Sequence, residues 1–296
     1  MLTAIVALMA ACGKSEQTAA GPKTFASEDD AFKAVYTAAK AGDSGTLLTI
    51  FGPDAKDLLF SGDAVQDKAA LSKFCASSDQ MHRWRKAEDG LVLDVGADNY
   101  PFPFPLKENS AGQWHYDVES ARDELLARRI GSNELAVIDV LNAMADAQAE
   151  YFGQTHDGGN VRKYAQKFIS SDGKQDGLYW KAAENQPESP LGPLAAYASS
   201  EGYTGKTEPF HGYYYRILTK QGEDAPGGAL DYVVDGNMTR GFAILAYPAE
   251  YGNSGVMSLL INQSGVVFEK DLGAGTADVA KATTEFNPDD TWKPLE

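Results

Sequence analysis

The sequence predicts an α+β fold: helices and a small curved antiparallel sheet first, then a long helix packed on an antiparallel meander. Three observations predict it. Apolar residues recur at helical spacing through the first part of the chain, and from Leu91 the pattern changes to alternation. A second helical stripe, Leu135, Ile138, Leu141, Ala145 and Phe152, precedes several alternating segments separated by Gly- and Asn-rich turns. With 296 residues and 43% hydrophobic content, the chain has enough apolar material for a real core and a length typical of about two domains.

The first helix is announced by Ser27-Glu28-Asp29-Asp30, an N-cap followed by an acidic turn at the positive end of the helix dipole. Phe32, Val35, Tyr36 and Ala39 form its apolar face, and Gly42-Asp43 stops it. A short helix over Thr46–Phe51 ends at Gly52-Pro53, and a third runs from Ala64 through Leu71 to Cys75. Leu91–Val95, Tyr100–Leu106 and Trp114–Asp117 read as strands. Prolines 101, 103 and 105 recur every second residue, so their missing N–H groups lie on one side, which marks an edge.

A helix over Glu119–Arg129 closes this unit. Gly131 is expected to break it and Ser132 to cap the next helix, Glu134–Phe152, which places a domain boundary near residue 131. The organisation is then a leader over residues 1–12, a linker over 13–24, a first domain over 25–131 and a second over 132–296. The first domain suggests a cystatin-like or nuclear-transport-factor-like module. Beyond the long helix come a short helix over Val161–Ile169 and an irregular Pro- and Gly-bearing stretch, Ser170–Pro209. Strands are expected over Phe210–Thr219, Leu230–Val234, Gly241–Tyr247, Gly255–Asn262 and Val266–Lys270.

Net charge is −16, with 14 basic against 22 acidic residues in 1–148 and 12 against 20 in 149–296. No basic patch stands out, and a surface this negative argues against nucleic-acid partners that bind by counterion release. Two cysteines make neither a disulfide scaffold nor a Cys-rich zinc module. Leu2–Ala11 is an apolar run too short for a bilayer span and suited to a signal-peptide core. Its end, Met9-Ala10-Ala11-Cys12-Gly13, resembles a bacterial lipobox. That resemblance implies that Cys12 is lipid-modified and that the membrane is reached through a lipid anchor. Gly13 after the cysteine leans towards the outer membrane by likeness to lipoprotein sorting. Cys75, between Phe74 and Ala76, reads as a small core hydrophobe.

Asn133-Glu134-Leu135-Ala136, Ala147–Tyr151, Gly212–Tyr215, Phe242-Ala243, Ala246-Tyr247-Pro248 and Asn262–Val267 resemble the globular head of a type IV pilin or pseudopilin. A pilin polymerises through an unbroken apolar helix. Here Arg128-Arg129 precede the equivalent helix and Asp139, Asp146 and Glu150 interrupt it, so the likeness implies a reused head and not a filament subunit. More extensively, Phe25–Leu295 resembles an uncharacterised family of exported bacterial proteins, domain of unknown function 2950. Ser61-Gly62-Asp63, Arg128–Leu135, Asp176–Trp180, His211–Tyr214 and Pro248–Met257 carry that likeness. It implies export and supplies no mechanism.

On one strand, His211, Tyr213 and Tyr215 would share a face, an arrangement suited to proton transfer or to stacking a ligand, and equally to packing under a helix. The Pro248–Gly255 loop, with Glu250, Tyr251 and Asn253, is the first place to expect a binding groove, since loops on rigid sheets carry function. Asp172 and Asp176 sit in a glycine-bearing loop that lacks the ligand count of an EF-hand. Asp231 and Asp235 read as a strand edge and a turn. No Gly-x-Ser-x-Gly turn and no His-x-x-x-His pair occurs. No catalytic set, metal site or cofactor is therefore assigned. The expectation is a lipid-anchored, non-enzymatic envelope protein facing the periplasm, acting by binding or scaffolding on an envelope partner. Two alternatives stand beside it: an extracytoplasmic hydrolase or ligand-modifying enzyme using His211, Tyr213 and Glu250, and a small-molecule carrier walled by Trp84, Tyr100 and Trp114.

Overall fold

A computed structural model describes residues 21–182, 188–205 and 208–295. The apolar leader, Cys12 and most of the linker lie outside the described residues. The first helices follow the sequence closely. α1 (Glu28–Ala41) is capped by the Ser27 hydroxyl and ends at Gly42 in the left-handed region. α2 (Ser44–Phe51) is capped by Asp43, and α3 (Lys56–Leu59) follows a 3-10 turn at Pro53–Ala55. α4 (Ala64–Gln80) starts on an Asp63 cap and runs one turn past Cys75.

The first sheet contains β1 (His82–Ala87), β2 (Gly90–Val95), β3 (Tyr100–Pro101), β4 (Leu106–Glu108) and β5 (Trp114–Tyr116), all antiparallel, in the order β1-β2-β4-β5 with β3 also on β2. The expected strand Tyr100–Leu106 is two short ones, because Pro103 and Pro105 cannot donate to a ladder. β1 was not expected. Its HRWRKA sequence has almost no apolar alternation, and charged side chains are how natural edge strands avoid further pairing. Phe51, Leu106 and Tyr116 are central to the core between this sheet and α1–α2.

α5 (Arg122–Phe152) corrects the sequence reading. It runs unbroken for 31 residues through Gly131 and Ser132, so the boundary placed near residue 131 falls inside a helix about 46 Å long. Neither a left-handed glycine nor a side-chain cap interrupts it: Gly131 keeps a negative φ. Leu125 and Leu126 pack against the first core, while Val137, Val140, Leu141, Met144 and Tyr151 are buried in the second. One helix serves both.

The helix expected over Val161–Ile169 does not form. Tyr164 bridges Met238, Ile169 bridges Tyr179, and the fully buried Gln148 amide takes both backbone groups of Ala165, at 2.9 and 2.8 Å. The stretch read as irregular contains α6 (Gly192–Glu201), whose proline lies in the first turn, where its missing N–H is harmless.

β6 (Tyr213–Leu218) opens the second sheet. Two small ribbons follow, β7 (Lys220–Gln221) with β8 (Leu230–Asp231) and β9 (Val233–Val234) with β10 (Asn237–Met238). β11 (Ala243–Pro248), β12 (Met257–Asn262), β13 (Val267–Asp271) and, after α7 (Thr276–Ala282), β14 (Lys293–Pro294) complete an antiparallel sheet of order β14-β13-β12-β11-β6. The expected strand Leu230–Val234 thus leaves the main sheet. β11 is buried at every position, flanked by β6 and β12 with Ala243 opposite both Leu218 and Asn262. The sheet packs on the C-terminal half of α5, which establishes the α+β class.

Candidate functional site

Where α5 passes between the two cores, polar side chains from both sides meet. Asp63 is 1% exposed. Its Oδ1 accepts from the Val65 and Gln66 amides, capping α4, and its Oδ2 accepts from the Tyr203 hydroxyl at 2.7 Å and the Gly212 amide at 3.1 Å. A single carboxylate therefore binds the first unit to the segment that leads into β6. Burial, and after it the Asp63 carboxylate, push the Tyr203 phenol far above its ordinary pKa, so the hydroxyl remains a donor.

About two turns into α5, Arg129 donates to the Asp57 carbonyl at 2.7 Å, to the Leu58 carbonyl and to Asn253 Oδ1. The Asn253 Nδ2 donates to the Phe60 carbonyl at 2.9 Å and to Glu250 Oε2 at 2.8 Å. A guanidinium and an amide thus satisfy the terminal carbonyls of α3, the negative end of that short helix. Burial lowers the Arg129 pKa, opposed by Asp67, Asp57 and Glu250. Burial likewise raises that of Asp67, whose Oδ1 accepts from the Ser61 amide and hydroxyl.

The next turn completes the clasp. Asn133 accepts from Gln66 at 3.1 Å and donates to the Ser254 carbonyl at 2.8 Å, and Glu134 Oε1 accepts from the Val256 and Met257 amides. Two glycines are required by close approach. At Gly62, φ is +85° and a Cβ would meet Glu250 Cγ at 2.9 Å; at Gly212, φ is +73° and a Cβ would lie 2.6 Å from Asn133 Nδ2.

Beside the clasp lies an open recess of about 580 Å³ lined by Asp54, Lys56, Asp57, Phe60, Arg122 and Glu250, with Pro53 and Glu119 at its side. Arg122 pairs with Asp57 and, at 3.4 Å, with Glu119. Partial burial works against its charge, but Asp57 and Glu119 outweigh that and hold its pKa above the ordinary value. Asp54 and Glu250 have no ion-pair partner among the described residues.

Four of the five runs that carry the family likeness, Ser61–Asp63, Arg128–Leu135, His211–Tyr214 and Pro248–Met257, contribute to this junction, and the family pattern spans residues 22–295. The chain belongs to DUF2950. DUF2950 is described as a protein of unknown function. No curated protein and no solved structure matches this DUF2950 chain.

The structure separates the candidates that the sequence grouped. His211 is not on the strand. It has φ +51°, precedes β6, and stacks among Phe210, Tyr197 and Tyr203 with Nε2 3.8 Å from Glu201. Burial lowers its pKa, opposed by Glu201 and Asp63. Tyr213 and Tyr215 do share a face of β6, with hydroxyls committed to the carbonyls of Met257 at 2.9 Å and Phe210 at 3.1 Å. Glu250 and Asn253 come together at the junction, while Tyr251 turns outward to Asp271 at 3.2 Å. Asp176 is held by Lys167 Nζ at 2.8 Å and by the Ser171 amide, which makes its loop a closed turn. Trp84 and Trp114 pack against the first core, Tyr100 is 56% exposed, and none of the three lines the recess.

Sequence reasoning missed Asp54, Asp57, Asp63, Arg129, Asn133 and Tyr203 as members of one site. Asp63, Arg129 and Asn133 fall in runs that carry the family likeness, but nothing local joins those runs, and the tie from Asp63 to Tyr203 spans 140 positions.

Proposed function

We propose that this protein works outside the cytoplasm as a lipid-anchored envelope protein, tethered through Cys12, that binds or scaffolds a partner at the recess beside the junction. The observation that carries the reading is the placement of Asp54 and Glu250. They come from the two different units, both line one open recess, and neither has an ion-pair partner among the described residues. Around them several polar groups are occupied. Asp63, Arg129, Asn133 and Glu134 hold the units together, and the Tyr213 hydroxyl is taken by a carbonyl. Such an arrangement favours a rigid platform that presents the unpaired Asp54 beside a Glu250 whose described side-chain hydrogen bond, from Asn253, engages Oε2. Several acyl chains on Cys12 would make the attachment stable where one would not.

The tether is tested by labelled fatty acid in the native host. Label entering the wild-type chain but not Cys12→Ala, with the variant released from the membrane fraction, is the expected result; an unlabelled chain with an unprocessed amino terminus contradicts it. The recess is tested by crosslinking in intact cells. A specific partner should be captured by the wild type and lost when Asp54→Asn and Glu250→Gln are combined.

A further inference from the structure

The binding reading leaves open which way the recess faces. The route of the chain bears on it. Residues 22–25 are stitched to the body beside the recess. A Cβ at Gly52 would meet the Pro22 nitrogen at 3.3 Å, the Lys23 amide donates to the Ile50 carbonyl at 3.1 Å, and Phe25 exchanges backbone hydrogen bonds with Trp114 at 2.8 and 2.9 Å. A second, smaller recess of about 240 Å³ has Gly21, Pro22 and Asp54 in its wall, and Pro53, Asp54 and Glu119 line both recesses. The point at which the chain joins the folded body therefore lies at the edge of the recess that holds Asp54.

Two lengths follow. Cys12 lies nine residues before Gly21. A chain advances at most ~3.6 Å per residue, so Gly21 stays within about 32 Å of the Cys12 Cα whatever path it takes. α5 sets the opposite end of the molecule. Arg122, its first residue, lines the first recess, and Glu150, in its last turn, lies about 42 Å away along the axis. With a net charge of −16, the body is repelled by anionic lipid and does not favour lying flat on it.

We propose that the tether makes the recess a membrane-proximal surface, with the Arg122 end of α5 turned to the bilayer and the Glu150 end held away from it, and that the partner met there is a protein held in the same membrane. Confinement to a layer about 32 Å deep raises the local concentration only of partners that share the layer, as a linker does for two sites that it joins. Lipid itself is a poor occupant, since Asp54, Asp57, Glu119 and Glu250 outnumber Lys56 and Arg122 in the recess wall. The inference rests on the Cys12 tether and on the recess being the binding surface; it adds the direction in which that surface faces and the kind of partner.

The test uses the lipidated full chain in vesicles of phosphatidylethanolamine and phosphatidylglycerol, with an energy-transfer acceptor on the lipid headgroups. Donor dyes are placed singly, in a Cys75→Ser background, at Lys56→Cys in the recess wall or at Glu150→Cys. Both are exposed positions outside any ion pair among the described residues. Transfer should be at least twofold stronger from Lys56→Cys. Asp146→Cys, also exposed and near the same end of α5, repeats the far-end measurement should the Glu150 label lower the melting temperature. Equal transfer from the two ends, or stronger transfer from the far one, would overturn the orientation and leave the tether standing. In cells, the partner crosslinked through the recess should remain in the membrane fraction of a strain that lacks this protein; a partner recovered in the soluble fraction would overturn the shared-membrane proposal. If the chain carries no lipid, or Cys12→Ala associates with membranes as well as the wild type does, the tether and this inference fall together.

Discussion

Replacing Asp63 should destabilise the protein more than any other single change at the junction. In Asp63→Ala the α4 cap is lost, which costs about 1 kcal/mol. The Tyr203 hydroxyl and the Gly212 amide, both in buried residues, lose their common acceptor, at about 1–3 kcal/mol each. The expected loss is therefore about 4 kcal/mol, a large share of the ~5–15 kcal/mol of a typical domain. Asp63→Asn retains a good cap and loses one acceptor, so about 2 kcal/mol is expected. Tyr203→Phe removes the other side of one contact. The double variant Asp63→Ala with Tyr203→Phe should thus be more stable than the sum of the singles by about 1 kcal/mol or more. Urea unfolding followed by tryptophan fluorescence and circular dichroism together reads these differences at constant slope. A loss below about 1 kcal/mol for Asp63→Ala, or strict additivity with Tyr203→Phe, would refute the buried clasp.

Three further expectations follow from the same geometry. Gly131→Ala should stabilise by about 1 kcal/mol in urea unfolding, because a Cβ there meets nothing within 4 Å and glycine is a poor interior helix residue; destabilisation would mean that the helix is interrupted. His211 has its folded pKa depressed by burial, so its contribution is complete above the unfolded value near 6.5 and is lost as pH falls below it. Stability measured from pH 8 to 5 should therefore decline below about pH 6.5, and His211→Gln should reduce that decline. Asp176 is pulled down to about 2 by the Lys167 hydrogen bond, so Lys167→Met should move its carboxyl titration, followed by NMR, upward towards the ordinary range.

How far the sequence foretold this depends on the range of the interactions involved. α1 was legible almost to the residue because its signals are local: a serine cap, an acidic first turn and a stopping glycine. The meander was legible for the same reason, as alternation between turns. α5 was misread because Gly131-Ser132 is a local stop signal that packing on two cores overrides. The region after α5 was misread because a single buried glutamine, Gln148, dictates the backbone at Ala165 from 17 positions away. In the site, Glu250 and Asn253 could be picked out as polar side chains on a loop between strands. Their partners could not: Arg129, Phe60 and Gly62 lie between 124 and 193 positions away, and no short-range pattern encodes such pairings. His211, Tyr213 and Tyr215 looked like one face only because the start of β6 was placed too early.

Recognition at the recess by residues from two units requires that the units do not move independently, and α5 is where that requirement is met or fails. Native-state hydrogen exchange of the amides from Arg129 to Leu135 measures it directly. Exchange at these amides should require an opening free energy close to that of global unfolding, matching Val140 and Leu141 deeper in the second core. Exchange through openings several kcal/mol smaller would contradict the account, because it would make the middle of the helix a hinge and leave Asp54 and Glu250 without a fixed relation.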